Sequence, residues 1–342
     1  MPRTVLLCDW VKGQLAGQIP DHDGKIEAAS PDASFRRYFR VTLSDGSTRI
    51  VMDAPPEQED CRPFLKVAAL LRAAGVQVPE VYATDLTQGF LLLSDLGRTT
   101  YLDVLDAGTA RKLYTDANSA LVALQLASRP GVLPDYDRAL LSRELDLFPD
   151  WYVARHLGVT LDATQQATLR SVFDKILDNN LAQAQVFVHR DYHSRNLMVA
   201  GDGSSAFPGN PGILDFQDAV YGPITYDAVS LYRDAYIHWE EDQELDFVIR
   251  YWEKAREAKL PVQADFYDFY RDYEWMGAQR QLKVLGIFAR LYHRDGKDGY
   301  LKNMPTVLAY LRQTCERYLE LRPLARLFDQ LENRPQAIGY TF

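Results

Sequence analysis

The run from Val186 to Val199 carries His189, Asp191 and Asn196 at the spacing HxDxxxxN, and Asp215 follows in Gly-Ile-Leu-Asp-Phe-Gln-Asp. These side-chain types suit phosphoryl transfer from a nucleotide, which needs a carboxylate to orient a hydroxyl and take its proton, and oxygen donors to fix magnesium against the phosphates. The pattern puts a candidate base, Asp191, and a candidate metal ligand, Asn196, on one loop after the apolar Val186-Phe-Val188. Asp215 is the second candidate ligand, and His189 would buttress the loop. Three fixed residues at this spacing arise by chance in about one chain of this size in a hundred, so a chance surface loop is a poor explanation.

Two strands are expected to position the pair of ligands. Residues 197–200 and 213–216 are apolar and short, and the residues between them are turn and loop material rich in Gly, Ser, Asn and Pro. Antiparallel pairing sets the start of one strand beside the end of the other and so brings Asn196 to Asp215. His193 and Arg195 share the loop and are candidates for contact with the acceptor or the γ-phosphate, although loop His and Arg side chains also bond locally. Asp218 is a further substrate candidate with no assigned role.

Before this segment the sequence changes character once. Helical spacing over 4–17 and 59–74, strand patterns over 38–43, 48–53, 80–84 and 90–94, and the hairpin signal Asp45-Gly46 make residues 1–95 an antiparallel sheet with a crossing helix. After Ser94-Asp95-Leu96-Gly97 the patterns are mostly helical, with stretches over 142–157, 225–239 and 263–294 among them. The expected class is α+β: a small antiparallel-sheet N-lobe, 1–95, and a larger, mostly helical C-lobe, 96–342.

Composition narrows the function classes. With 342 residues the chain exceeds one ordinary core, and a formal net charge of -9 argues against nucleic-acid or anionic-membrane partners. Three widely spaced cysteines suit reduced thiols, and no apolar run reaches the length of a membrane span. The expectation is a cytoplasmic enzyme of a small molecule, with no nucleic acid, no membrane and no obligate protein partner evident.

The order of a small sheet lobe, a helical lobe, the HxDxxxxN loop and the Ile-Leu-Asp-Phe strand resembles the protein-kinase-like fold, and most closely the aminoglycoside phosphotransferase family, over nearly the whole chain. The strings Tyr38-Phe-Arg-Val, Met52-Asp-Ala-Pro-Pro-Glu57, His189-Arg-Asp-Tyr-His-Ser-Arg-Asn196 and Asp215-Phe-Gln-Asp-Ala219 look like the branch of anomeric amino-sugar kinases of cell-wall recycling, which act on N-acetylmuramate and N-acetylglucosamine. That resemblance implies ATP and Mg2+ as cofactors and the C1 hydroxyl as acceptor, giving an α-1-phosphate. It also implies nucleotide contacts from the Ser34-Phe-Arg-Arg37 loop, adenine on the backbone of Ser94, Asp95 and Leu96, and a loop-bracing role for Asp227. Kinases of aminoglycosides, choline, homoserine or fructosamine, and a non-catalytic nucleotide binder, remain open alternatives.

The first lobe departs from the family pattern. A lysine is expected on the third strand to meet the α and β phosphates, but Arg49-Ile-Val-Met-Asp53 offers Met52 or Asp53 there, and the Ser34–Arg37 loop has no glycine. Arg37 or Arg36 is the expected replacement cation, and Glu57 or Glu59 a partner for it. Aromatic residues crowd the last third of the chain at helical spacing, which marks most of them as packing and leaves a few for a sugar.

Overall fold

The structure, a computed structural model, describes residues 2–18, 26–30, 35–200 and 209–332. Two compact units divide the chain: one holds Met1–Leu124 and Arg195–Ala219, the other Gln125–Ser194 and Val220–Phe342.

The first unit is built on a five-stranded antiparallel sheet of β1 (Ile26–Ser30), β2 (Arg37–Thr42), β3 (Thr48–Asp53), β4 (Val81–Asp85) and β5 (Phe90–Ser94), in the order β1-β2-β3-β5-β4. Helix α1 (Arg3–Gln14) lays Leu7 and Val11 against Val41, Val51, Phe90 and Leu92, so period-3.6 and period-2 apolar faces meet in one core. Helix α2 (Cys61–Ala73) starts where the Asp60 side chain accepts from the Arg62 amide, and buries Phe64, Val67, Ala68 and Leu71 as its spacing predicts. Gly89 has φ 72, and a Cβ there would lie 1.8 Å from the Ala54 carbonyl oxygen, so only glycine lets β5 start beside the end of β3. Helices α3 (Tyr101–Val104) and α4 (Ala110–Leu126) follow.

Helices α5 (Arg138–Leu145) and α6 (Ala163–Ala182) lead to β6 (Gln185–Val188), the apolar run before the HxDxxxxN loop. The single helix expected over 142–157 is two elements: α5 ends, and a π-helical segment, Phe148–His156, begins with Pro149, whose ring and missing amide disrupt a continuous ladder. In the first unit β7 (Leu197–Met198) and β8 (Gly212–Ile213) pair antiparallel, Leu197 opposite Ile213. They are shorter than expected because Asp215 takes φ 62, a left-handed conformation that no strand continues through. Then β9 (Val220–Pro223), which the apolar patterning did not reveal, pairs with β6, Val188 opposite Val220.

Among the described residues the second unit goes on with the α-helices α7 (Tyr226–Tyr232), α8 (Glu241–Glu257), α9 (Phe266–Asp295), α10 (Met304–Arg317) and α11 (Arg322–Leu331). Helix α7 stops well before the expected residue 239, since Arg233 leaves helical geometry and Asp234 turns back to accept from the Tyr236 amide at 3.0 Å. The last-third aromatics are mostly core, with Tyr226, Tyr232, Trp239, Tyr251, Tyr273 and Trp275 all buried.

Helix α9 runs from the Asp265 cap to Gly296, which takes the left-handed C-cap conformation, and from Tyr273 to Gly286 every residue is buried. A Cβ on Gly286 would lie 2.4 Å from the Leu147 carbonyl carbon, so this glycine sets the approach of α9 to the chain entering the π segment. Gly286→Ala gains up to about 1 kcal/mol of helix propensity but forces backbone apart at a cost of about 1–3 kcal/mol. The expected net effect is destabilisation, read as a lower denaturant midpoint; an unchanged or raised midpoint would contradict this packing.

Candidate active site

Both ends of the catalytic-type loop are held by carboxylates from one stretch of chain. Asp227, in the first turn of α7, accepts the backbone amides of His189 at 2.7 Å and Arg190 at 3.0 Å. Asp234, just past the end of α7, accepts the Ser194 amide at 2.9 Å and the Ser194 hydroxyl. Between these anchors Arg190 takes φ 77, a strained conformation for a long side chain. The Asp191 amide donates to His189 Nδ1 at 3.2 Å, and the buried His189 ring meets Tyr192 edge-on, which makes the imidazole an internal support.

Beneath the loop lies a buried cluster centred on Glu144. Its carboxylate accepts from the Tyr136 hydroxyl, the Arg190 guanidinium and Gln279 Nε2 at 3.3 Å, and pairs with Lys283 Nζ at 3.0 Å. Lys283 also donates to the Tyr226 hydroxyl at 2.9 Å. Burial pushes the Glu144 carboxyl up, but Lys283 and Arg190 outweigh it and hold Glu144 below its usual range. Burial likewise raises Asp191, and Lys283, His193, His189 and Arg190 outweigh it, so Asp191 is held ionised.

His193 sits half-buried with its ring 5.5 Å from Tyr236, which in turn meets Phe288 of α9 at 6.3 Å. This aromatic row borders the loop within the second unit.

The candidate metal ligands lie together in the first unit. Asn196 Nδ2 is 3.4 Å from an Asp215 oxygen, the Leu214 amide donates to the Asn196 carbonyl at 2.9 Å, and Gln217 Nε2 donates to Asp215 at 2.8 Å. Phe216 is fully buried against Phe64 of α2, ring centres 4.8 Å apart, and so fixes the exposed Asp215 beside it. An amide carbonyl and a carboxylate are hard oxygen donors of the kind magnesium takes, and two suffice when phosphates and waters complete the shell. Among the described residues no cluster of three or more His, Cys, Asp or Glu could hold a metal by itself. Arg195 and Asp218 are exposed.

On the sheet, Asp53 is fully buried at the end of β3 and its carboxylate is shared by Arg37 and Arg3, the latter at 2.7 Å from Nε. Met52 is fully buried too, so the expected lysine position supplies no cation of its own. Arg36 pairs instead with Glu59 at 3.2 Å. Ser94 Oγ accepts the Glu80 amide at 2.8 Å, Asp95 pairs with Arg40 and accepts the Gly97 amide at 2.9 Å, and Leu96 is buried, so these side chains brace the link. Ser34 lies outside the described residues.

Glu144, Lys283, Asp234 and Gln217 were not identified from the sequence. Asp234 alone had a usable signal, its position seven residues, or two helical turns, after Asp227.

A five-stranded antiparallel sheet, a helical unit and a braced HxDxxxxN loop together define a kinase of the protein-kinase-like fold. Solved structures share that fold: a choline kinase from Streptococcus pneumoniae superposes with TM-score 0.62 at 11% identity, covering 90% of this chain and 99% of the other. An ADP-bound aminoglycoside phosphotransferase gives TM-score 0.57 at 13% identity, covering 90% and 98%. The model of the phosphotransferase enzyme family matches residues 25–263, and the chain belongs to that family. It is also 50% identical over 100% of both chains to an N-acetylmuramate/N-acetylglucosamine kinase of Neisseria meningitidis serogroup B. A Pseudomonas aeruginosa protein of the same name is 51% identical, covering 94% of this chain and 92% of that one. The described residues include no helix long and apolar enough to cross a membrane.

Burial, and more weakly the charge of Asp191, push the Asp227 carboxyl up to about 7, against the pull of the His189 and Arg190 amides and of Arg280. An unfolded aspartate titrates near 4, so Asp227 binds its proton more tightly when folded; that stabilisation is full below about pH 4 and is lost as pH rises through 7. Asp227→Asn cannot ionise. The stability difference, wild type minus variant, is expected to be larger at pH 5 than at pH 8.5 in urea titrations; a pH-independent difference would show that Asp227 stays ionised throughout.

Proposed function

We propose that this phosphotransferase is an ATP- and Mg2+-dependent sugar kinase that phosphorylates the anomeric C1 hydroxyl of N-acetylmuramate and N-acetylglucosamine, giving the α-1-phosphate in cell-wall recycling. The observation that carries the reading is the half-identity, over essentially full length, to relatives bearing that name. Residues 1–95 form the nucleotide lobe, with Ser34, Arg37, Ser94, Asp95 and Leu96 along the nucleotide, and residues 96–342 carry the catalytic loop and the acceptor site.

Asp191 orients the C1 hydroxyl and receives its proton as the hydroxyl oxygen bonds to the γ-phosphorus and the bond to the β-phosphate oxygen breaks. An anomeric hydroxyl is more acidic than an ordinary alcohol, and phosphoryl transfer is loose, so a carboxylate held below its usual pKa is base enough. His189 and Asp227 keep Asp191 in place, while Asn196 and Asp215 would hold magnesium, which neutralises phosphate charge when bound. His193, Arg195 and Asp218 are the loop side chains available to the substrates. A cytoplasmic location follows from a reaction that consumes ATP.

The test is phosphorus NMR with ATP, magnesium and each sugar, with choline and kanamycin as competing acceptors. A sugar-1-phosphate resonance is expected, and Asp191→Asn should lower kcat by about 10²- to 10⁴-fold. Turnover confined to choline or kanamycin, or an Asp191→Asn variant as fast as wild type, would sink the reading.

A further inference from the structure

Four cations are buried among the described residues: Arg40, Arg233, Lys283 and Arg280. Three have carboxylate partners, Asp95 for Arg40, Glu244 and Glu274 for Arg233, and Glu144 for Lys283. Arg280 is 5% exposed and, among the described residues, makes no hydrogen bond or ion pair. Its charge acts on Asp227, but no hydrogen bond or ion pair joins the two among the described residues, so the guanidinium keeps its donors for another acceptor.

Its location is informative. Arg280 lies on α9 three residues before Lys283, whose charge acts on Asp191, and its own charge lowers the pKa of Asp227. Arg280, Val284 and Phe288 follow one another at i, i+4 and i+8, so they form a single ridge of the helix. Phe288 ends that ridge against Tyr236, which meets His193 of the catalytic loop. The ridge spans about 12 Å, the length of a substituted sugar ring.

The geometry points to Arg280 as the residue that receives the carboxylate of the acceptor's lactyl ether, making N-acetylmuramate, an anion, a better substrate than uncharged N-acetylglucosamine. This rests on the amino-sugar reading above. Arg280 is a specificity residue and takes no part in the transfer itself. A planar guanidinium can hold a carboxylate through two parallel N–H donors, which an exposed loop arginine such as Arg195 does less selectively in water.

The experiment compares kcat/KM of wild type, Arg280→Gln and Arg280→Lys on N-acetylmuramate, its methyl ester and N-acetylglucosamine. Losing one partner of a buried charge pair should lower the N-acetylmuramate to N-acetylglucosamine ratio by roughly 100-fold in Arg280→Gln, with partial recovery in Arg280→Lys. The methyl ester should behave in wild type as N-acetylmuramate does in Arg280→Gln. Because the readout is a ratio, it is independent of the fraction of variant that folds. An equal fall on both sugars, as expected if Arg280 meets the γ-phosphate or only balances Asp191 and Asp227, would overturn the proposal, as would an unchanged ratio. Wild-type turnover on neither sugar would instead overturn the amino-sugar reading itself.

Discussion

Two carboxylates at the ends of α7 determine the shape of the loop that carries Asp191. From this loop Asp227 and Asp234 accept the backbone amides of His189, Arg190 and Ser194 and the Ser194 hydroxyl. Hydrogen bonds contribute about 0.5–1.5 kcal/mol each, and up to about 3 where the acceptor is charged, whereas the left-handed backbone at Arg190 costs about 1–3 kcal/mol in total. The anchors therefore offset the strain, and the loop can hold a conformation that its own sequence disfavours. The turn at Arg190 also sends its side chain down to Glu144.

Charge arranges itself in the same way one layer deeper. Glu144 gathers Arg190 and Lys283, and these cations also act on Asp191. Asp227, though it accepts two amides, lies deeper and feels the charge of Asp191, so its carboxyl rises as that of Asp191 falls. Two neighbouring carboxylates pushed apart in pKa acquire different duties: one stays ionised and available, the other stays internal and holds backbone. Moving Glu144 or Lys283 would disturb this division.

What could be read from the sequence follows from the range of each interaction. The meeting of Asn196 with Asp215 was legible because the β7–β8 pair is local, and the pairing of Leu197 with Ile213 brings the two side chains together as the turn composition suggested. The sheet and the long helix α9 were legible from periodicity. Glu144 and Lys283 were not, since 139 positions separate two residues whose meeting depends on helix packing, and neither stands in a recognisable pattern. The π segment escaped because a helical apolar period persists through it; Pro149 was the available sign. Strand β9 is four residues long and includes Gly222 and Pro223, too few and too irregular for a period to show.

The missing lysine illustrates how position can matter less than charge. A lone aspartate at the end of β3 would repel nucleotide phosphates, yet Asp53 is buried with two guanidiniums, one from the register-matched Arg37 across the sheet and one from Arg3 of α1. Two positive charges against one negative leave the cluster cationic, and Arg37 keeps nearly half of its side chain exposed, at 47%. Arg3 also donates to the Gln88 carbonyl at 2.6 Å and lies over the Phe90 ring at 4.8 Å, so α1 is fastened to the sheet by the same residue that helps set the sign of the cluster. That edge of the sheet therefore carries a net positive field, which the fold assembles from strand and helix together rather than from one lysine.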